Sequence, residues 1–141
     1  MAQKRRLNSR ATSWKDVCEL ALALPEVEES TSYGTPAFKV RGKLFVRLKE
    51  DGESIVVRIE EADRALRLQA DPKAFYITDH YVAYPWMLVR LSAVAQGDLA
   101  ELLRDAWRLR APGRLAVQYN GDQPELGKAT GQSRRAARRR T

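Results

Sequence analysis

The chain has 141 residues, 44% hydrophobic and 30% charged, with a formal net charge of +7. That length holds one hydrophobic core plus tails, and no apolar run reaches the roughly 18 residues that would suggest a membrane span. One cysteine, Cys18, excludes an internal disulfide, and the basic N-terminus lacks the apolar stretch of a secretory signal, so the expected compartment is reducing and cytoplasmic.

In chain order, residues 1–12 carry Lys4, Arg5, Arg6 and Arg10 with no acid and read as a basic flexible N-terminal arm. A helix is predicted from about Trp14 to Leu24. Ser13 followed by Asp16 resembles a capping box. Trp14, Val17, Cys18, Ala21 and Leu24 recur on one face, and Pro25 ends the helix. Glu26, Glu28 and Glu29 form an acidic exit. A loop or short strand follows through Tyr33-Gly34-Thr35-Pro36.

Strands come next. Phe38 and Val40 alternate with Lys39 and Arg41; Leu44, Val46 and Leu48 alternate with Phe45, Arg47 and Lys49; Ile55, Val57 and Ile59 alternate with Val56 and Arg58. Placing the apolar sets on one core face sets Val40 opposite Leu44 and Phe38 opposite Val46, across a three-residue Arg41-Gly42-Lys43 turn. Leu48 then faces Ile55, and Val46 faces Val57, across a loop containing Asp51-Gly52. The outer face of this register has a row Lys39, Phe45, Arg58, with the aromatic ring between two cations. The next row is Ala37, Arg47, Val56.

A short helix is predicted from about Glu61 to Gln69, with Ala62, Ala65, Leu66 and Gln69 on one face, and Asp71-Pro72 breaks it. Lys73 to Pro85 is aromatic and irregular, with Phe75, Tyr76, His80, Tyr81 and Tyr84. A strand runs from Trp86 to Leu91. Gly97-Asp98 opens the last helix, with Asp98 as its cap and Leu99, Leu102, Leu103, Ala106 and Trp107 as its apolar stripe. Ala111-Pro112-Gly113 closes it. The order α-β-β-β-α-β-α with antiparallel hairpins is an α+β fold, an antiparallel sheet with helices packed on one face, forming a single domain over 13–120.

Residues 121–141 read as a basic flexible C-terminal tail, too poor in apolar groups to offset its own ordering entropy. Its Arg134, Arg135, Arg138, Arg139 and Arg140 suit an electrostatic grip on nucleic acid, or equally a solubilising extension. The arm and the tail each carry +4, which leaves the body at −1.

Within that near-neutral body the charges separate by element. Segments 36–49, 54–59 and 86–91 contain Lys39, Arg41, Lys43, Arg47, Lys49, Arg58 and Arg90 but no Asp or Glu. A basic sheet face carrying Phe45, with Trp86 on the Arg90 side, has the composition of a nucleic-acid platform. The bland alternative is a half-exposed sheet that needs polar outward residues, although such surfaces usually mix signs.

Ser32-Tyr33-Gly34-Thr35-Pro36-Ala37-Phe38-Lys39-Val40, followed by Gly42-Lys43-Leu44-Phe45, resembles the signature of the MmcQ/YjbR-like family of small bacterial proteins. Ala21 to Glu29, Trp86-Met87-Leu88-Val89 and Ala106-Trp107 fit the same pattern, which spans about residues 13–115. The resemblance implies a compact α+β domain of the double-wing DNA-binding type, related in shape to secretion-chaperone-like domains, in a family whose functions are largely uncharacterised. It supplies no catalytic residues. Tyr84-Pro85-Trp86 departs from the pattern, since many members have a lysine-containing turn there.

No catalytic constellation emerges. Cys18 lies on the apolar stripe of the first helix, where a structural thiol is the expectation. One His and one Cys are too few for a zinc site. There is no phosphate-binding glycine loop. No cofactor and no metal are expected. The reading is a non-enzymatic DNA-binding module that grips phosphates non-specifically through Lys39, Arg41, Lys43, Phe45, Arg47, Arg58, Arg90 and the tail arginines. The alternatives are a protein-interaction adaptor and a small-ligand binder that uses the aromatic segment 75–86 as a pocket. No membrane partner is expected.

Overall fold

The computed structural model describes residues 11–122, which divide into a body up to Arg110 and a separate helical unit from Ala111. The N-terminal arm up to residue 10 and the tail from residue 123, including all five tail arginines, lie outside the described residues. In the body, α1 (Trp14–Leu22) leads into β1 (Val27–Ser32), β2 (Thr35–Val40), β3 (Lys43–Leu48) and β4 (Ser54–Arg58). Then come α2 (Glu61–Ala70), β5 (Phe75–Tyr76), a 3₁₀ turn (Asp79–Tyr81), β6 (Trp86–Arg90) and α3 (Gln96–Arg110). The second unit contains α4 (Gly113–Asp122), a helix beyond the expected order. Among the described residues, no helix is long and apolar enough to cross a membrane.

The six strands form one antiparallel sheet in the order β1-β2-β3-β4-β6-β5, so the α+β class holds with two more strands than expected. The segment after the first helix is a full edge strand, and it brings Glu28 and Glu29 into a sheet that was expected to be free of acids. Phe38 pairs with Val46, Val46 with Val57 and Leu48 with Ile55, as the alternation requires.

The β2–β3 turn departs from expectation. Val40 pairs with Lys43, not Leu44, so the turn has two residues, Arg41 and Gly42, with φ of 50° and 81°. Two positive φ values are the mark of a type I′ turn, whose twist matches that of the strands it joins. A bulge between the Phe38 and Lys39 pairs absorbs the offset and leaves Phe45 without a cross-strand partner on β2.

The core lies between one sheet face and the helices α1 and α3. Phe38, Val46, Val57 and Met87 form a fully buried row. Trp14 of α1 stacks on Phe38 at 5.6 Å. From α3, Leu99, Leu102, Leu103, Ala106 and Trp107 are buried, and Trp107 Nε1 donates to the Pro25 carbonyl at 2.9 Å, tying α3 to the end of α1. The Ser13 amide donates to Asp16 Oδ2 at 2.9 Å, as a capping box requires. Thr12, which was assigned to the arm, is buried and donates Oγ1 to the Val94 carbonyl, so the body begins before Ser13. Asp98 sits inside the first turn of α3 and does not cap it.

Helix α2 turns the opposite way from its expected stripe. Leu66 is 66% exposed, and Ala62, Ala65 and Gln69 are exposed with it. The inward residues are Arg64, Arg67 and Leu68. Two arginines seat this helix. Arg67 lies over the Phe75 ring at 5.7 Å and bonds Glu101 at 2.9 Å; the work of Arg64 is on the other side of the sheet.

Candidate functional site

The face of the sheet turned away from α1 and α3 is defined by the row Ala37, Arg47, Val56, Leu88, Tyr76. Four of the five are buried, so this face is not an open platform. The segment between β5 and β6 lies against it. Arg64 holds that segment from α2: Nη1 donates to the carbonyls of Tyr81 (2.9 Å), Tyr84 (2.7 Å) and Trp86 (2.9 Å), and Nη2 donates to that of Val82 (3.0 Å). One guanidinium serves four carbonyls, of which those of Tyr81 and Tyr84 also accept the amides of Tyr84 and Trp86, and so ties an irregular stretch and the start of β6 to α2.

The segment and the sheet enclose a cleft of about 310 Å³ lined by Tyr33, Leu44, Arg47, Val56, His80, Tyr81, Tyr84 and Trp86. None of the eight is Asp or Glu. Tyr33 is 81% and Tyr84 56% exposed, an unusual amount of aromatic surface to leave in water. Tyr33 also occupies the first position of the two-residue β1–β2 turn at φ 54°, a left-handed conformation that a bulky residue seldom adopts. From there its ring covers the Arg47 guanidinium at 5.1 Å. His80 meets Tyr81 edge-on at 4.7 Å and lies 6.1 Å from Tyr84.

Arg47 forms the polar floor. Its Nη2 donates to Tyr81 Oη at 3.0 Å, and Nη1 reaches the Leu48 carbonyl (3.2 Å), Thr35 Oγ1 (3.4 Å) and Glu50 Oε2 (3.4 Å). At one rim Arg58 stacks on Trp86 at 5.5 Å. Burial, then the charge of nearby Arg110, pushes the Arg58 guanidinium below its ordinary pKa. Arg110 of α3 donates Nε to the carbonyl of Leu44, a lining residue. Neither Arg58 nor Arg110 forms an ion pair among the described residues.

The expected site residues scatter around this cleft. Phe45 is a correction: it is 0% exposed, so the row Lys39, Phe45, Arg58 does not form. Trp86 replaces it beside Arg58, and Trp86 is at the opposite end of β6 from Arg90. Arg47 is buried within its hydrogen bonds and not spread on a surface. Arg41 is ion-paired with Glu26, which holds that carboxyl below its usual range. Lys39 lies opposite Glu28 of β1, and Lys43 is exposed at the hairpin end opposite core-facing Val40. Arg90 stacks on Tyr76 at 4.0 Å and donates to the Lys73 carbonyl at 2.9 Å. Sequence reasoning singled out Tyr76, Tyr81, Tyr84 and Trp86 as pocket candidates; the last three line the cleft, whereas Tyr76 lies under Arg90 and bonds Ser54. The same reasoning missed Tyr33 and Arg110, whose only sequence signals were an aromatic in a turn before Gly34 and a basic end to the last helix.

Two titratable groups sit elsewhere. Burial, with Glu29 second, raises the Cys18 thiol, the opposite of an activated nucleophile. Cys18 lies in a groove beside Trp14 and Phe38, on the helix-covered side of the sheet from His80. Asp105 of α3 is pushed up to about 6, first by burial and then by Glu101 and Asp63, with Arg108 opposing. It lines a second cleft, with Arg58 and Asp63 among its neighbours. Among the described residues no group of three or more His, Cys, Asp or Glu could hold a metal ion.

An antiparallel sheet with helices on one face and a clamped aromatic segment on the other defines a small α+β domain. The YjbR family model matches residues 22–109, and the chain belongs to that family. Uncharacterised proteins of Mycobacterium bovis (Mb2600) and Mycobacterium tuberculosis (Rv2570) are each 28% identical to it, over 76% of this chain and 95% of theirs. A crystal structure of the Deinococcus radiodurans protein DR2400, with the domain DUF419, superposes with a TM-score of 0.61 at 21% identity, covering 70% of this chain and 78% of that one. That likeness extends to the fold alone.

Proposed function

We propose that this protein is a nucleic-acid-binding module that holds its ligand against the cleft side of the sheet, mainly through phosphate contacts. The observation that carries this reading is the pair Arg58 and Arg110, two neighbouring cations that form no ion pair among the described residues and that touch Trp86 and Leu44 of a cleft lined without acids, although Arg58 also borders the second cleft with Glu60, Asp63 and Asp105. A site built this way favours an anion, because adjacent unpaired guanidiniums repel until an anion lies between them. Arg90 and Lys39 extend the positive charge along the cleft side of the sheet, and the tail arginines Arg134, Arg135, Arg138, Arg139 and Arg140 add a sequence-independent attraction.

The test is fluorescence anisotropy of a labelled oligonucleotide with the full chain at about 50 mM salt. The Arg58→Glu, Arg110→Gln double variant is expected to bind about tenfold more weakly or worse, with an unchanged circular dichroism spectrum. Equal affinity of the variant and the parent chain would remove the cleft rim from the binding surface.

A further inference from the structure

We infer that the cleft takes a single unstacked base from a single strand, with an adjoining phosphate on Arg58 and Arg110. This rests on the nucleic-acid reading and specifies its ligand. The first observation is size and lining. A cleft of about 310 Å³ is at the small end of ligand pockets, roughly 300–1,000 Å³, and its walls are rings. Tyr33, Tyr84 and Trp86 offer π-faces, and two of them are largely exposed. Duplex DNA presents no ring face to such walls, because its bases are stacked on one another, whereas an unpaired base does.

The second observation is polarity. A peptide side chain would fill an apolar cleft as well, but this cleft has arginine at both floor and rim and no acid in its lining. The hydroxyl of Tyr81, which accepts from Arg47 at 3.0 Å, can donate to the polar edge of a base, while Arg58, 5.5 Å from the centre of the Trp86 ring, can meet the adjoining phosphate. The third is rigidity. Arg64 fixes the segment that carries Tyr81, Tyr84 and Trp86, and the strained Tyr33 turn is held against Arg47, so the rings stand ready before any ligand arrives.

The experiment uses the full chain and three probes at one salt concentration: a labelled oligothymidylate of about ten nucleotides, a blunt duplex of equal length, and thymidine monophosphate. Stacking on Trp86 is read as quenching of its fluorescence, assigned by its loss in Trp86→Phe. The expected results are single-strand affinity at least about tenfold above duplex, and a Tyr84→Ala variant that loses about tenfold for the single strand but less than about twofold for the duplex. Tyr84 is exposed, so its removal leaves the core intact, and Arg64→Lys serves as a second variant that loosens the segment without deleting a ring. Equal affinity for strand and duplex, unchanged by Tyr84→Ala, would overturn the inference and leave phosphate binding standing. No binding of either polymer would overturn both readings. Quenching by the monophosphate as strong as by the oligomer would make the ligand a free nucleotide and overturn the strand as its source.

Discussion

Arg64 is the residue on which the candidate site most depends, and it has no counterpart in the hydrophobic pattern of its helix. It is buried, and its guanidinium serves four carbonyls of the segment that forms one wall of the cleft. Arg64→Ala is therefore expected to cost about 1.5–3 kcal/mol in chemical denaturation, because one buried charged donor to four carbonyls is lost. Arg64→Lys should recover part of that loss, since an ammonium reaches fewer carbonyls than a planar fork. Tyr33 poses the opposite trade. Its φ of 54° suits Asn better than an aromatic ring. Tyr33→Asn should raise the melting temperature slightly and weaken oligonucleotide binding, whereas a fall in both would mean that the ring on Arg47 is mainly structural.

At the scale of elements, the hairpin of β2 and β3 decides which side chains reach which face. The two-residue turn needs positive φ at Gly42, and a Cβ there would meet nothing within 4 Å, so Gly42→Ala should cost about 1 kcal/mol through backbone conformation alone. A far larger loss would indicate contacts that the hairpin geometry does not contain. The same hairpin marks how far the sequence could be read. Alternation correctly paired Phe38 with Val46 and Leu48 with Ile55, because burying one face leaves little freedom of register. A bulge was expected with a three-residue turn at Arg41-Gly42-Lys43, but strict alternation was carried through the apolar run Leu44-Phe45-Val46, where the extra residue lies and withdraws Phe45. The orientation of α2 was hidden for a related reason. Its inward face is held by arginine hydrogen bonds, from Arg64 to loop carbonyls and from Arg67 to the Glu101 carboxylate, and hydrophobic periodicity does not report those. The aromatic segment was visible as composition, but its conformation depends on Arg64, about 20 residues upstream.

For the molecule as a whole, the sheet has two unlike faces. One is a dry core of Phe38, Val46, Val57 and Met87 under α1 and α3; the other is an aromatic cleft rimmed by arginines. The net charge of +7 comes from the termini, while the body up to residue 120 is nearly neutral, so bulk attraction to nucleic acid and local recognition are separable properties. Replacing the tail arginines Arg134, Arg135, Arg138, Arg139 and Arg140 and the arm cations Lys4, Arg5, Arg6 and Arg10 with glutamine is expected to remove most of the first and leave the second. The most direct measurement is the salt dependence of single-strand binding by that full-length chain with both termini neutralised. The account predicts binding that persists at about 50 mM salt and falls with a log–log slope of about −3, as expected when about four cations, Arg58 and Arg110 among them, release counterions from a single strand. Complete loss of binding in the chain with both termini neutralised would contradict it and assign the interaction to the termini alone.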